Sequence, residues 1–308
     1  MEVLKQSSLA AFEQEPLTKT ETSNFNWAFN MLSKEKRNAI YTIYNFLSYL
    51  DNIVDSKSVF SPKSNVPKAD FVAKKLERIH RWEETLINIY DDNKSISDYL
   101  SPLRFVIKRF NIPMQYFQTL LNGFKRDLTQ NTYETFEELK NYCFDVASVV
   151  GLIVIEIFGY KYETTKSYAI NLGYALQLTN ILRDVKFDKD RGYIYLPLED
   201  LSRFDYSIED LQNEVYNDNF IELMNFEAQR AKEYYFKARS YLKTEERKNM
   251  IAAGIMDEIY YRLLEKIELK EYKVFHKKIK VSNIHKLMIA IKHLLSVQLF
   301  VNRIKKLP

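Results

Sequence analysis

Apolar residues recur at three- and four-residue spacings along most of the chain, and they rarely alternate. This spacing places them on one face of an α-helix, so the pattern predicts an all-helical protein. Only 6 Gly and 7 Pro punctuate the 308 residues, which favours helices throughout. The predicted helices cover approximately residues 26–54, 69–90, 96–110, 113–129, 135–158, 162–188, 207–213, 217–242, 245–268 and 282–304.

The breaks between these segments carry recognisable stop signals. Residues 61–67 hold two prolines among polar residues and predict a loop. Gly192 and Pro197 interrupt the helical pattern at RGYIYLP, whose aromatic residues predict an ordered turn. Residues 1–23 are polar and irregular, and we expect a flexible tail there. No linker rich in Gly or Ser divides the remainder, so we expect one helical domain over residues 24–304.

Composition narrows the classes of function. The chain is 46% apolar, and its 45 basic residues nearly balance 41 acidic ones for a net charge of +4. This balance argues against a nucleic-acid partner. The 22 Tyr and 20 Phe suit either an ordinary core or a cavity that holds an apolar chain and a carbocation.

The C-terminal segment differs from the rest because lysines are dense between Lys266 and Lys306. Such a segment is either a solvated basic face or a surface that attracts diphosphates or anionic lipid headgroups. The longest apolar run, Val146 to Tyr160, is broken by a glycine and a glutamate, and we expect it to be too short to cross a bilayer.

The single cysteine, Cys143, excludes an internal disulfide and indicates a reducing compartment. It lies in an apolar helical stretch, where we expect it to be buried. The N-terminus lacks the apolar core of a secretion signal. We therefore expect a cytoplasmic protein with peripheral contact at the inner face of the membrane.

The first acidic motif is SYLDNIVDS, which places Asp51 and Asp55 four residues apart on one helical face. Like charges in that relation repel each other by about 0.2–0.5 kcal/mol, and a divalent cation would offset the repulsion. A pair of aspartates near a helix end is also common on a solvated surface.

The second motif, in YALQLTNILRDVKFDKD, aligns Gln177, Asn180, Asp184 and Asp188 along one helical stripe. Polar groups in apolar surroundings need partners, because each unsatisfied group costs about 1–3 kcal/mol. Oxygen ligands of this kind suit Mg²⁺, which also binds phosphate oxygens and water. Two such helices facing each other across a cavity would hold a diphosphate through magnesium and help it leave. Two unrelated amphipathic helices are the alternative.

Other catalytic classes lack candidates in this sequence. The 4 His form no pair at metal-ligand spacing. The phosphate-binding Walker motif, the dinucleotide-binding glycine motif and the nucleophile elbow are all absent.

Several blocks of the chain resemble the squalene and phytoene synthases, the head-to-head branch of the trans-prenyltransferases. The likeness runs from Asn24 to about Leu295. It implies an all-α isoprenoid synthase (terpenoid synthase) fold whose helices surround a central apolar cavity. The blocks are KEKRNAIYTIYNFLSYLDNIVD, ETFEELKNYCFDVASVVGLIVIEIFG, ALQLTNILRDVKFDKDRGYIYLP, IYYRLLEKIE and YKVFHKKIKVS.

The resemblance also implies roles for single residues. Asp51 and Asp55 resemble the first metal-binding motif of the family, and Asp184 and Asp188, with Asn180 beside them, resemble the second. The other implied site residues line the cavity or approach the diphosphates: Tyr44, Tyr142, Gln177, Arg183, Tyr260 and one of Lys277 or Lys278.

Two positions depart from the family pattern. Ser48 stands where many relatives have Arg, and Asn52 stands where many have Asp. Because such an arginine helps to hold a diphosphate, substrate affinity is the property that this departure affects.

The resemblance implies a Mg²⁺-dependent reaction, with Mn²⁺ as the alternative ion, that joins two prenyl diphosphates. Phrases such as VVGLIVIEIFGY favour two farnesyl diphosphates and presqualene diphosphate as the product. Two geranylgeranyl diphosphates, as in phytoene synthases, are the alternative. The use of NADPH and contact with downstream isoprenoid enzymes are left open. A non-catalytic assembly or lipid-binding protein of the same fold is the competing hypothesis.

Overall fold

The computed structural model describes residues 28–29, 32–55 and 69–304, which are mostly helical. The predicted tail and the predicted loop at residues 61–67 lie outside this described part. The only strand-like pairing among the described residues is a parallel bridge between Thr132 and Ile194. The helices are α1 Lys34–Asp55, α2 Ala69–Tyr90, α3 Ser101–Arg109, α4 Met114–Thr129, α5 Phe136–Phe158, α6 Thr164–Asp190, α7 Leu198–Arg203, α8 Ile208–Gln212, α9 Asp218–Tyr241, α10 Ile251–Leu269 and α11 Asn283–Ile304.

Helix α6 is the central element, and it packs against α5, α9 and α10. Gly173 permits a close approach between α6 and α5, because a Cβ added there would lie 2.4 Å from Ser148 Cα. Ser148 is the last residue of a π-helical turn of α5, which spans Phe144–Ser148. Such turns often occur near functional sites. The close contact holds α5 and α6 side by side as two walls of an interior cavity.

Most predicted helix boundaries agree with the structure within about two residues. Helix α1 begins at Lys34 rather than near residue 26, because the chain bends at Leu32; the hydroxyl of the next residue, Ser33, accepts a hydrogen bond from Lys36 N at 3.4 Å. Helix α10 begins at Ile251 rather than near residue 245. The structure adds α7, which starts directly after Pro197, a residue that cannot continue a preceding helix but can open a new one.

The apolar run from Val146 to Tyr160 lies in α5 as far as Phe158, where the helix ends. This helix has 23 residues and is long and apolar enough to span a membrane, so the expectation that it is too short is wrong. Half of its apolar stretch is buried, and α5 packs against α4 and α6. Cys143, which lies on α5, is buried as predicted. The helix therefore serves here as a core helix.

A buried charged cluster ties α7 to α9. Arg230 Nη1 donates hydrogen bonds to Asp200 Oδ2 at 2.7 Å and to Glu227 Oε1 at 2.5 Å. Both carboxylates are at most 4% exposed. Burial raises the pKa of Glu227 to about 8, and the nearby Asp200 contributes to the rise, although Arg230 opposes it. One arginine thus binds two buried carboxyl groups, and Glu227 keeps its proton at neutral pH.

We expect the free energy of unfolding to fall as the pH rises from 6 to 9. Folded Glu227 keeps its proton up to about pH 8, whereas the unfolded chain releases it near the usual pKa of 4.5. The contribution of this group is therefore complete below pH 4.5 and is lost as the pH rises toward 8. In urea titrations, the free energy of unfolding of Glu227→Gln should fall less over this pH range than that of wild type, by about 1–2 kcal/mol. Glu233→Gln, an exposed change on the same helix, should not alter it. An identical pH dependence in wild type and Glu227→Gln would contradict this prediction.

Candidate active site

Helix α1 carries the first acidic motif. Asp51 is exposed, whereas the side chain of Asp55 lies outside the described part of the structure. Burial raises the pKa of Tyr44, and Tyr260 of α10 and the charge of Asp51 raise it further. The Tyr44 hydroxyl therefore lies within electrostatic range of both residues and stays protonated at neutral pH. Tyr44 is thus the residue of α1 whose electrostatic neighbours include both Asp51 and α10.

Helix α6 carries the second motif on the predicted stripe. Asp184 accepts hydrogen bonds from Arg183 on both carboxylate oxygens, and Lys278 Nζ lies 2.8 Å from Asp184 Oδ1. Burial alone would raise the pKa of Asp184, but these two cations outweigh it and lower the pKa below its usual value. Asp184 is therefore an anion held between two positive side chains.

Asp188 lies one helical turn further along α6 in a different environment. Burial raises its pKa to about 8, with a further increase from the charge of Asp184. Arg191, Arg183 and Lys278 oppose the rise without cancelling it. Two carboxyl groups on one turn thus have different preferred protonation states, which is an arrangement common at functional sites.

Arg183 and Tyr260 join the two acidic motifs. Burial lowers the pKa of Arg183, but the hydrogen bonds and charges of Asp184 and Tyr260 outweigh it and raise the pKa. Tyr260 acts on Tyr44 in turn, and Tyr44 lies beside Asp51. Tyr260 of α10 is thus hydrogen-bonded to Arg183 of α6 and lies within electrostatic range of Tyr44 of α1.

A cluster of tyrosines adjoins the second motif, with Asp127 of α4 at its centre. Asp127 accepts hydrogen bonds on its carboxylate from the hydroxyls of Tyr142 at 3.2 Å and Tyr195 at 3.1 Å. The Tyr193 hydroxyl donates a hydrogen bond to the backbone carbonyl oxygen of Asp127 at 2.9 Å. Burial, then the charge of Asp127, raises the pKa values of Tyr142 and Tyr195 well above the usual value, and Asp188 adds to the rise at Tyr195. Both phenols therefore remain hydrogen-bond donors.

The RGYIYLP segment forms an ordered turn, as the sequence predicted, and it carries Tyr193 and Tyr195. Gly192 has a φ of +85°, a conformation that favours glycine. Asn131 Nδ2 donates to the Gly192 carbonyl at 2.8 Å, and Ile194 N donates to the Asn131 carbonyl at 2.7 Å. The turn is thereby pinned to the end of α4, next to Asp127.

An apolar cavity of about 210 Å³ lies between α5, α6 and α10 and meets the polar stripe at one end. Gln177, Asn180 and Tyr260 line it at the polar end. Most of the remaining wall is apolar: Phe29, Val146, Val150, Val154, Ile155, Phe158, Ala169, Leu172, Leu176, Ala252, Ala253 and Met256. An elongated apolar group attached to a charged head would fit this combination.

Tyr168 of α6 is the residue that lines this cavity and also a second cleft. The second cleft, of about 810 Å³, lies between α10 and α11. The Tyr168 hydroxyl is buried and has no hydrogen-bond partner among the described residues. The ring therefore acts as a wall between the two spaces.

The residues present fit a magnesium ion. Asn180 Oδ1 is buried and has no hydrogen-bond partner within the described part of the chain. Asp188 lies about two helical turns from Asn180 and retains its proton, which metal binding would release. No three His, Cys, Asp or Glu side chains converge into a cage among the described residues. A shell completed by phosphate oxygens and water is the one that Mg²⁺ prefers.

Of the predicted residues, the structure places Arg183, Asp184, Tyr260 and Lys278 in direct contact with one another. Of the two lysine candidates, Lys278 pairs with Asp184, whereas Lys277 is exposed and makes no ion pair among the described residues. Tyr44 and Tyr142 are not among the residues that line the cavity.

Sequence reasoning missed Asp127, Tyr195 and Tyr168. A signal existed only for Tyr195, as part of the aromatic RGYIYLP turn. Asp127 and Tyr168 become notable only through partners and spaces contributed by distant segments.

Comparison with known proteins agrees with this arrangement. The model of the squalene/phytoene synthase family matches residues 18–285. The phytoene synthase of Arthrospira platensis is 32% identical over 287 residues, covering 88% of each chain. The 15-cis-phytoene synthase of a Synechocystis strain is 34% identical, over 84% of this chain and 76% of the relative. The chain belongs to the squalene/phytoene synthase family.

Solved structures confirm the fold predicted for this squalene/phytoene synthase family member. A dehydrosqualene synthase superposes with a TM-score of 0.76 at 24% identity, covering 95% of this chain and 97% of the other. A squalene synthase from Alicyclobacillus acidocaldarius superposes with a TM-score of 0.70 at 22% identity, covering 88% and 96%. The protein has the all-α isoprenoid synthase fold and is a prenyltransferase of the head-to-head family.

Proposed function

We propose that this protein condenses two molecules of a C20 prenyl diphosphate, geranylgeranyl diphosphate, head to head to form a phytoene-type product. The main support for this reaction is the arrangement of α6. Its acidic residues Asp184 and Asp188 are preceded along the helix by Asn180 and Gln177, which line the apolar cavity. A substrate with a diphosphate head and an apolar tail fits that arrangement.

The cations of the site are suited to the diphosphate. Lys278 is 47% exposed and can exchange Asp184 for a phosphate oxygen. Arg183 offers the paired donors that match phosphate geometry. Mg²⁺ bound between the two acidic motifs would neutralise the diphosphate charge and help it to leave. Tyr44, which stays protonated, can donate a hydrogen bond to the departing group.

The apolar walls suit the reaction that follows. Loss of diphosphate leaves an allylic cation, and the double bond of the second substrate attacks it. Proton loss then closes a cyclopropane. Valine, leucine and alanine side chains of α5 and α6 exclude water that would quench the cation.

The C20 assignment is supported by the curated relatives above 30% identity, which are named phytoene synthases. A second candidate substrate is the C15 farnesyl diphosphate, which would form presqualene diphosphate. The observation that favours it is the small cavity, about 210 Å³, closed at one end by Tyr168. The naming of relatives as synthases also favours catalysis over the non-catalytic, lipid-binding hypothesis.

Product analysis tests this proposal. Purified protein is incubated with Mg²⁺ or Mn²⁺ and, separately, with C15 and C20 diphosphates, and the extracted products are identified by mass spectrometry. We expect a C40 hydrocarbon or its cyclopropyl diphosphate precursor from the C20 substrate, and none in the presence of EDTA. A C30 product alone would support the second candidate. Two results together would contradict the enzymatic proposal: neither substrate gives a product, and neither substrate causes a Mg²⁺-dependent thermal shift.

A further inference from the structure

Phe187 of α6 is a large apolar residue that is exposed beside the second acidic motif. It lies between Asp184 and Asp188 in the chain, and 54% of its surface is accessible to solvent. An exposed phenylalanine contributes little to the core, because most of its apolar surface stays in water. Its contribution has to come from the groups around its ring.

Two cations lie against this ring. The Lys278 Nζ is 5.6 Å from the ring centroid of Phe187, and the guanidinium carbon of Arg191 is 5.2 Å from it. Both distances fall within the range of about 6 Å in which the negative face of an aromatic ring attracts a cation. Phe187 thus brings together two positive side chains that repel each other.

The same cations act on the second acidic motif. Lys278 Nζ lies 2.8 Å from Asp184 Oδ1, and the charge of Arg191 opposes the rise in the pKa of Asp188. Asp184 and Phe187 are three residues apart and therefore share a face of α6, so Lys278 contacts two side chains of one face. The ring lies among the groups that we assign to the diphosphate.

Lys278 depends on this ring most when the site is loaded. It belongs to the non-helical segment between α10 and α11, and its side chain is 47% exposed. Its close polar and aromatic contacts among the described residues are Asp184 and Phe187. Mg²⁺ would take up the carboxylate of Asp184 as a ligand. The contact with the ring is then the one that remains to hold the ammonium group.

We propose that Phe187 is a positioning residue whose ring holds Lys278, together with Arg191, beside the second acidic motif, where the two cations bind the diphosphate of the substrate. A phosphate oxygen replaces Asp184 as the partner of Lys278, while the ring keeps the ammonium group in place. This inference rests on the proposed function for the identity of the ligand. It does not depend on the length of the prenyl chain.

Binding of inorganic pyrophosphate tests the proposal without requiring turnover. Isothermal titration calorimetry with pyrophosphate and Mg²⁺ compares the full wild-type chain, Phe187→Leu and a variant that carries a trifluorinated phenylalanine at this position. Leucine is apolar but has no ring face, whereas fluorination weakens the negative face and keeps the shape of the ring. We expect about fivefold weaker binding for Phe187→Leu and an intermediate affinity for the fluorinated variant.

A double-mutant cycle with Lys278→Met identifies the partner of the ring. Because the ring acts through the cation, Phe187→Leu should weaken pyrophosphate binding by less than about twofold when residue 278 is already methionine. In steady-state kinetics with a prenyl diphosphate, Phe187→Leu should raise KM by about fivefold and change kcat by less than about twofold, since the ring acts on binding. A merely structural role would not produce this split.

The matched control is Phe105→Leu, at a residue of α3 that is 62% exposed. It should bind pyrophosphate as wild type does, and every variant should unfold at the wild-type temperature, because positions 105 and 187 are both exposed.

Three results would overturn the proposal. Wild type that does not bind pyrophosphate, or Phe187→Leu that binds it as tightly as wild type, would exclude a role of the ring in binding. A loss in Phe187→Leu that persists undiminished beside Lys278→Met would exclude action through the lysine. Ring-dependent pyrophosphate binding, in a protein that converts neither the C15 nor the C20 diphosphate, would support this inference and contradict the proposed function.

Discussion

Replacing Asp184 with asparagine is expected to lower turnover by on the order of 10³-fold, while the helical content measured by circular dichroism stays unchanged. Asparagine has the shape of aspartate but lacks the charge that holds Arg183 and Lys278 and would hold magnesium. Steady-state kinetics with saturating Mg²⁺ measure the loss. We expect the same order of loss for Asp51→Asn on α1.

The control for this prediction is Asp190→Asn. Asp190 lies on the same helix and also pairs with lysines, at 2.8 Å from Lys189 Nζ, but it is half exposed and outside the polar stripe. Its loss should change turnover by less than about threefold. Retained activity in both the Asp51 and the Asp184 variants would refute the assignment of the two motifs as one ion-binding site.

Replacing Tyr168 with alanine is expected to shift the substrate preference toward longer prenyl chains. The ring separates the cavity of about 210 Å³ from the cleft of about 810 Å³. Its removal joins the two spaces and gives a longer tail room to extend. The ratio of kcat/KM for the C20 substrate to that for the C15 substrate should rise by about tenfold or more, the range expected for a change in an apolar pocket.

Two controls separate cavity length from loss of stability. Tyr168→Phe removes only a buried hydroxyl that has no partner among the described residues, so it should keep the wild-type ratio and unfold at the same or a higher temperature. Tyr206→Ala removes another fully buried ring that lines neither space. Each Tyr→Ala change should cost about 3–5 kcal/mol of stability. A ratio that changes equally in Tyr168→Ala and Tyr206→Ala would contradict the role of Tyr168 as a wall.

The helical part of the site was predictable from the sequence because helical periodicity fixes which residues share a face. Gln177, Asn180, Asp184 and Asp188 needed only the spacing of three and four residues to be placed on one stripe. That the two acidic helices face each other across a cavity stays a prediction. The structure adds that Tyr260 lies within electrostatic range of Tyr44 on α1 and is hydrogen-bonded to Arg183 on α6.

Helical periodicity could not predict the loop residues of the site or the position of the cavity and the cleft. Lys277 and Lys278 lie in a segment without helical periodicity. Tertiary packing therefore decides which of the two side chains reaches Asp184. Asp127 gains its importance from Tyr193 and Tyr195, which are more than sixty residues away in the chain. The position of Tyr168 between two spaces depends on where α10 and α11 pack.

The glycine at the crossing of α5 and α6 also limits how the cavity can evolve. A methyl group at Gly173 would collide with the backbone of Ser148, so a larger residue there would force two core helices apart. Substitutions at Gly173 therefore cannot change the width of the cavity without displacing α5 or α6. New product lengths would have to arise from substitutions at its far end, where a single aromatic side chain stands between two compartments.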